Sequence, residues 1–313
     1  MLKQRFMPLF MAACLLAITV SASVAQQVVD LTPPTFGDFD PAALTDIDPA
    51  DVPIVPALTP HARLIFERGQ SRDVPRDPHM FSKVGDSMTA SPYFLVDFGT
   101  DAYDLGAYAD LEPAVAFFST PFEDTIKNAF NRENYANALG FSTASALDST
   151  WAVADVCEPN ESPLACEYRT ANAAFALIMF GTNDVMTFDE PLFDYFLRQV
   201  VLETINADVV PVLYTMPIRP EAPQRSLIFN QIILKIGADY DLPVINLVIA
   251  LDPLPNDGID LDDTLHLTHP EAPESAASFT DDSLRTGYTI RNLVTLQTLD
   301  TLLTELDLLP GET

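Results

Sequence analysis

Basic residues are scarce in this chain. Its 313 residues carry 16 Lys and Arg against 45 Asp and Glu, a formal net charge of −29. A field of that sign repels phosphate backbones and anionic lipid, which argues against nucleic-acid binding and against attachment to a membrane surface. Long apolar runs are missing after about residue 20, so no later stretch has the length of a membrane span. Cysteine is nearly absent: beyond Cys14 there are only Cys157 and Cys166, with no His nearby. Two thiols do not make a four-ligand zinc site. There is no Gly-x-x-x-x-Gly-Lys phosphate loop, no His-Glu-x-x-His zinc motif and no internal repeat.

Apolar residues are plentiful. They make up 48% of the chain, which excludes a wholly disordered protein and suffices for a full core. Residues 1–25 read as a signal peptide. Lys3 and Arg5 form a basic start, Phe6–Val20 is apolar, and Ser23-Val24-Ala25 supplies small residues for cleavage before Gln26. The expected location is secreted or in the cell envelope. In that oxidising setting Cys157 and Cys166, nine positions apart, are expected to pair.

Residues 26–78 are acidic and rich in proline, from Pro33 to Pro78. Such spacing opposes long helices and predicts an extended tether or an arm packed on the domain. The domain proper is expected over 79–313. There, short apolar runs ending in glycine or a loop alternate with helical patterns. Strands are predicted at Phe81–Val84, Asn134–Leu139, Phe175–Phe180, Val209–Tyr214 and Pro243–Leu247. Helices are predicted over Ser142–Trp151, Pro191–Ile205, Ser226–Tyr240 and Arg285–Leu306. Unalternating strands between helices give an α/β fold with a parallel sheet covered on both faces. Right-handed crossovers then gather the strand C-terminal ends on one edge, where ligands bind.

Four short motifs fall on that edge: Gly85-Asp86-Ser87, Gly140, Gly181-Thr182-Asn183-Asp184 and Asp263-Thr264-Leu265-His266. A serine hydroxyl becomes nucleophilic only beside a base. Past the signal peptide the chain has four histidines: His61, His79, His266 and His269. His61 and His79 lie in or next to the proline-rich stretch and read as exposed or capping residues. His266 has Asp263 three residues before it, a spacing that brings the carboxylate to Nδ1 and leaves Nε2 for Ser87. His269 is the competing base, but its own position three residues back is His266. Attack on an ester charges the carbonyl oxygen, and the N–H groups of Ser87 and Gly140 with the Asn183 amide are the candidate donors. Gly99 and Gly106 compete with Gly140 for that place. The acidic run Asn256–Asp263 invites a calcium reading, but with Gly258 at position six an EF-hand would place Pro253 and Pro255 at ligand positions.

This set of motifs, in this order from about Met80 to Leu306, resembles the SGNH (GDSL-type) hydrolase superfamily. Met88 stands where the name-giving Leu would be, and Leu267 where Pro is frequent. The resemblance implies a flavodoxin-like three-layer α/β/α fold, no cofactor and no metal. It implies Ser87 as nucleophile, His266 as base, Asp263 as its partner, and Gly140 and Asn183 in the oxyanion hole. The expected activity is hydrolysis of a carboxylic ester through an acyl-enzyme. A small-molecule or glycan ester is the expected partner, with short-acyl or acetyl esters on glycans as the finer expectation. The alternative is a secreted, non-catalytic carbohydrate- or partner-binding module on the same fold.

Overall fold

Four parallel strands form the sheet in the order β1-β2-β3-β4: β1 (Asp77–Gly85), β2 (Ala173–Met179), β3 (Val210–Tyr214) and β4 (Val244–Ile245). The computed structural model describes residues 29–100, 102–123 and 125–309. The expected signal peptide lies outside them. Ten α-helices are described: α1 (Pro60–Gln70), α2 (Ser87–Ala90), α3 (Glu112–Phe118), α4 (Thr143–Leu147), α5 (Pro163–Ala171), α6 (Asp184–Thr187), α7 (Glu190–Asn206), α8 (Pro223–Asp239), α9 (Leu247–Leu251) and α10 (Gly287–Glu305). Among the described residues no helix is long and apolar enough to cross a membrane.

Every residue of β2 and β3 is buried, as their unbroken apolar runs require when both faces are covered. Phe66 of α1 and Phe118 of α3 both lie against Phe175 of β2, and α3 packs on α10. These helices form one layer. Helices α4, α5, α7 and α8 pack on one another in the other layer, with Phe193 of α7 stacked on Phe229 of α8. Successive right-handed crossovers in one direction put α5, α7 and α8 on the same face. The sequence supplies clear starts: Asp189 accepts from the Leu192 N–H ahead of α7, with Pro191 in its first turn.

The expected strand over 134–139 is reduced to a single parallel bridge, Gly85 to Asn137. Side chains have taken over its ladder. Asn134 Oδ1 accepts from the Lys83 N–H at 2.8 Å, and Asn137 Nδ2 donates to the Lys83 carbonyl at 2.8 Å. The segment still lies on the far side of β1 from β2. The direction of strand addition therefore reverses at β1, which makes its C-terminal end the switch point of the sheet.

The stretch expected to be an arm over 26–78 is two things. Residues 29–59 form an arm packed on the domain. Asn246 Nδ2 donates to the carbonyls of Pro49 and Val52, and the Asn246 N–H donates to that of Ile54. Residues 60–70, however, are helix α1, with Ala62, Ile65 and Phe66 in the core, and β1 starts at Asp77. Helix α1 thus contributes to the core ahead of residue 79. Pro60 does not break this helix because it occupies the first turn, where no N–H bond is lost and Thr59 caps the start. His61, expected exposed or capping, is buried, with Nδ1 at 2.6 Å from the Tyr240 carbonyl. Cys157 and Cys166 form a disulfide that ties the loop before α5 to that helix.

Candidate active site

β1 delivers the first motif to the sheet edge. Gly85 pairs with Met179 of β2, and a side chain at Gly85 would strike the Met179 carbonyl and the Thr89 hydroxyl. Asp86 then caps α2, its Oδ1 accepting from the Met88 N–H at 3.0 Å. Ser87 is the first residue of that one-turn helix and is 5% exposed. The Asp86 carboxyl is wholly buried, and burial pushes its pKa up to about 6. Its second oxygen has no hydrogen-bond partner among the described residues, and Thr182 Oγ1 approaches without closing a bond.

The fourth motif comes from a loop after α9 and reaches the same point. His266 Nε2 lies 2.8 Å from Ser87 Oγ, and His266 Nδ1 lies 2.6 Å from Asp263 Oδ2. With Nδ1–H donating to the carboxylate, Nε2 is left to accept from the serine hydroxyl. The hydrogen bond from His266 holds the Asp263 carboxyl below the ordinary carboxylate range. The loop is fixed on both sides. Ile259 and Leu267 form an antiparallel bridge, and the Thr268 N–H donates to the Gly258 carbonyl at 2.8 Å. The acidic run 256–263 is thus the near side of the turn that carries His266. Among the described residues, its carboxylates do not converge into a close group of metal-type ligands.

The second and third motifs are joined to each other. Asn183 Nδ2 donates to the Phe141 carbonyl at 2.8 Å, and its second amide hydrogen has no partner among the described residues. Asp184 brackets the same loop, accepting from the N–H and hydroxyl of Thr143 at 2.8 and 2.5 Å and from the Gly181 N–H at 3.2 Å. Burial pushes the Asp184 carboxyl up, and these donors pull against it. Gly140 has φ +76°, a left-handed conformation that favours glycine, while nothing in the protein would meet a side chain there. The N–H groups of Ser87 and Gly140 donate to no other group among the described residues.

A cleft of about 270 Å³ opens over Ser87. Asp263, His266, Tyr93, Leu139 and Tyr288 help line it. Leu139 is in its wall, whereas Gly140 and Asn183 lie outside the lining. His269 also lines the cleft, but its ring lies flat on Tyr93 at 3.9 Å and its Nδ1 sits 2.9 Å from the Pro270 carbonyl. The histidine at Ser87 is His266. Sequence reasoning missed the aromatic wall of Tyr93 and Tyr288. Tyr93 sits six residues past the serine and Tyr288 opens the last helix, positions that only the fold brings together.

Chemically, this arrangement can take a proton from a serine hydroxyl and stabilise the imidazolium that results. No family model and no curated protein matches the chain. Among solved structures, the chain is similar to the lipase/acylhydrolase from Enterococcus faecalis, at 18% identity and a TM-score of 0.45, covering 75% of this chain and 98% of that one. It is similar to the psychrotrophic esterase EstA from Pseudoalteromonas sp., at 15% identity and a TM-score of 0.44, covering 73% and 99%. It is also similar to Axe2, an acetylxylan esterase from Geobacillus stearothermophilus, at 15% identity and a TM-score of 0.41, covering 70% and 93%.

Proposed function

We propose that this chain is an exported serine esterase of the SGNH (GDSL-type) kind, cleaving carboxylic esters through an acyl-enzyme. The observation that carries the reading is the continuous relay Ser87 Oγ, His266 Nε2, His266 Nδ1 and Asp263 Oδ2, with links of 2.8 and 2.6 Å. Two motifs 179 residues apart meet at hydrogen-bond distance at the sheet's switch point, above a cleft.

In this reading Ser87 Oγ attacks the ester carbonyl while His266 Nε2 takes its proton. Asp263 holds the ring in the tautomer that accepts there and offsets the charge it gains. The carbonyl oxygen becomes an oxyanion facing the N–H groups of Ser87 and Gly140 and the remaining Asn183 amide hydrogen. Collapse breaks the ester C–O bond, and His266 passes its proton to the leaving alcohol. Water then attacks the acyl-enzyme by the reverse sequence, freeing the acid and restoring the serine.

The finer reading is a short-acyl or acetyl ester on a glycan outside the cell. The cleft of about 270 Å³ sits at the small end for a ligand site and suits a short acyl group. Its aromatic wall beside Asp260 and Asp263 suits a neutral, hydroxyl-rich alcohol and disfavours an anionic one. The disulfide supports export. The test is hydrolysis of p-nitrophenyl acetate and of an acetylated oligosaccharide by the wild type and by Ser87→Ala. Both activities should be present in the first and lost in the second. A wild type inert on every ester tried would leave the binding-module reading standing, and Ser87→Ala with full turnover would remove Ser87 from the reaction.

A further inference from the structure

The serine turn and the histidine loop are far apart in sequence, and both are attached to the start of one helix, α10. At its first residues, the Gly287 N–H donates to Thr268 Oγ1 at 2.8 Å and the Tyr288 N–H donates to the Thr268 carbonyl at 2.9 Å. Thr268 is two residues past His266. One turn along α10, Arg291 reaches the other side. Its Nη1 donates to the Met88 carbonyl at 2.8 Å and its Nη2 to Thr89 Oγ1 at 3.0 Å. Met88 and Thr89 are the two residues after Ser87.

Arg291 is an expensive residue to keep. Its side chain is 0% exposed, and no carboxylate lies within ion-pair distance of it among the described residues. The buried charge is met by the faces of Phe94 at 3.7 Å and Tyr214 at 5.3 Å, and more distantly by Asp86. Its Nε has no partner among the described residues. An apolar side chain would fill the site at lower desolvation cost. What it would not do is hold the end of α2. A one-turn helix leaves nearly all its carbonyls without an internal partner, so α2 cannot fix its own orientation. The forked guanidinium supplies that hold on two successive residues.

We propose that Arg291 is a positioning residue for Ser87, and that α10 sets the approach of Ser87 to His266 by gripping one side through Arg291 and the other through Thr268. The inference rests on Ser87 being the nucleophile. A lysine at 291 keeps the charge but cannot make the two divergent bonds. Arg291→Lys is therefore expected to lower kcat roughly 10–100-fold, the cost of a small misplacement at a reacting centre, with KM little changed. Labelling of Ser87 by a fluorophosphonate should slow by the same factor.

Thr268→Val removes the side-chain half of the other grip, the bond from the Gly287 N–H, while the Tyr288 N–H keeps the backbone carbonyl, and it should act in the same direction. Thr298→Val is the control, because Thr298 is buried on the same helix and its hydroxyl bonds, among the described residues, only to the Val294 carbonyl. It should leave kcat and labelling unchanged. Wild-type kcat in both Arg291→Lys and Thr268→Val overturns the inference, whatever happens to the melting temperature. If Arg291→Lys fails to fold, Thr268→Val decides alone. Ser87→Ala in parallel separates two failures: if it retains turnover, the reading of the site is wrong and the inference falls with it. If it is inactive while the α10 variants are not, only the inference falls.

Discussion

Replacing Asp86 with Asn should stabilise the protein at neutral pH and do almost nothing in acid. The Asp86 carboxyl is buried under the serine turn, and burial raises its pKa from 3.8 to about 6. A raised folded-state value means the native protein binds this proton more tightly than the unfolded chain does. The contribution is therefore fully favourable below the unfolded value and is lost as pH rises through about 6. Above that, keeping Asp86 ionised in the core costs about 3 kcal/mol, from a shift of about two units. Asn carries no charge. Its Oδ1 keeps the bond from the Met88 N–H, and its amide hydrogens face the unpartnered Thr182 hydroxyl in place of the unpartnered carboxylate oxygen.

Urea unfolding of wild type and Asp86→Asn should then differ by up to about 3 kcal/mol at pH 8, in favour of the variant. The gap should close to about 0.5 kcal/mol at pH 4, where the native carboxyl is already protonated and the unfolded one partly so. A gap of the same size at both pH values would refute the electrostatic account and point to a packing effect. A variant less stable at pH 8 would show that the charge is stabilised at this site, with Arg291 the nearest candidate.

Asn183→Ala should cut kcat roughly 10²–10³-fold with KM little changed, because an oxyanion donor acts mainly in the transition state. If Asn183 serves only to tie the Phe141 loop, the variant melts early and turns over normally; kcat and melting temperature on one sample separate these outcomes. Thiol titration of the denatured, non-reduced mature protein should find about zero free thiols, and Cys166→Ser should lose roughly 2–3 kcal/mol, as expected for a short closed loop. Two titratable thiols in the wild type would contradict the bridge.

The α/β class and the strand positions were legible because strands buried on both faces leave unbroken apolar runs such as Phe175–Phe180 and Val209–Tyr214. The short-range part of the site was legible for a similar reason. Asp263 and His266 are one turn apart, so local geometry brings the pair together. The reduction of the edge strand expected over Asn134–Leu139 to a single bridge was not legible, because its asparagine side chains replace backbone bonds that sequence periodicity assumes. Nor was α1, since the same proline that breaks a helix interior starts a helix at its first turn. Only the tertiary structure decided that His266 rather than His269 faces Ser87, and that α10 holds both sides of that contact. Those contacts join residues about 20 to 200 positions apart, and a long-range contact leaves no periodic trace in the chain that makes it.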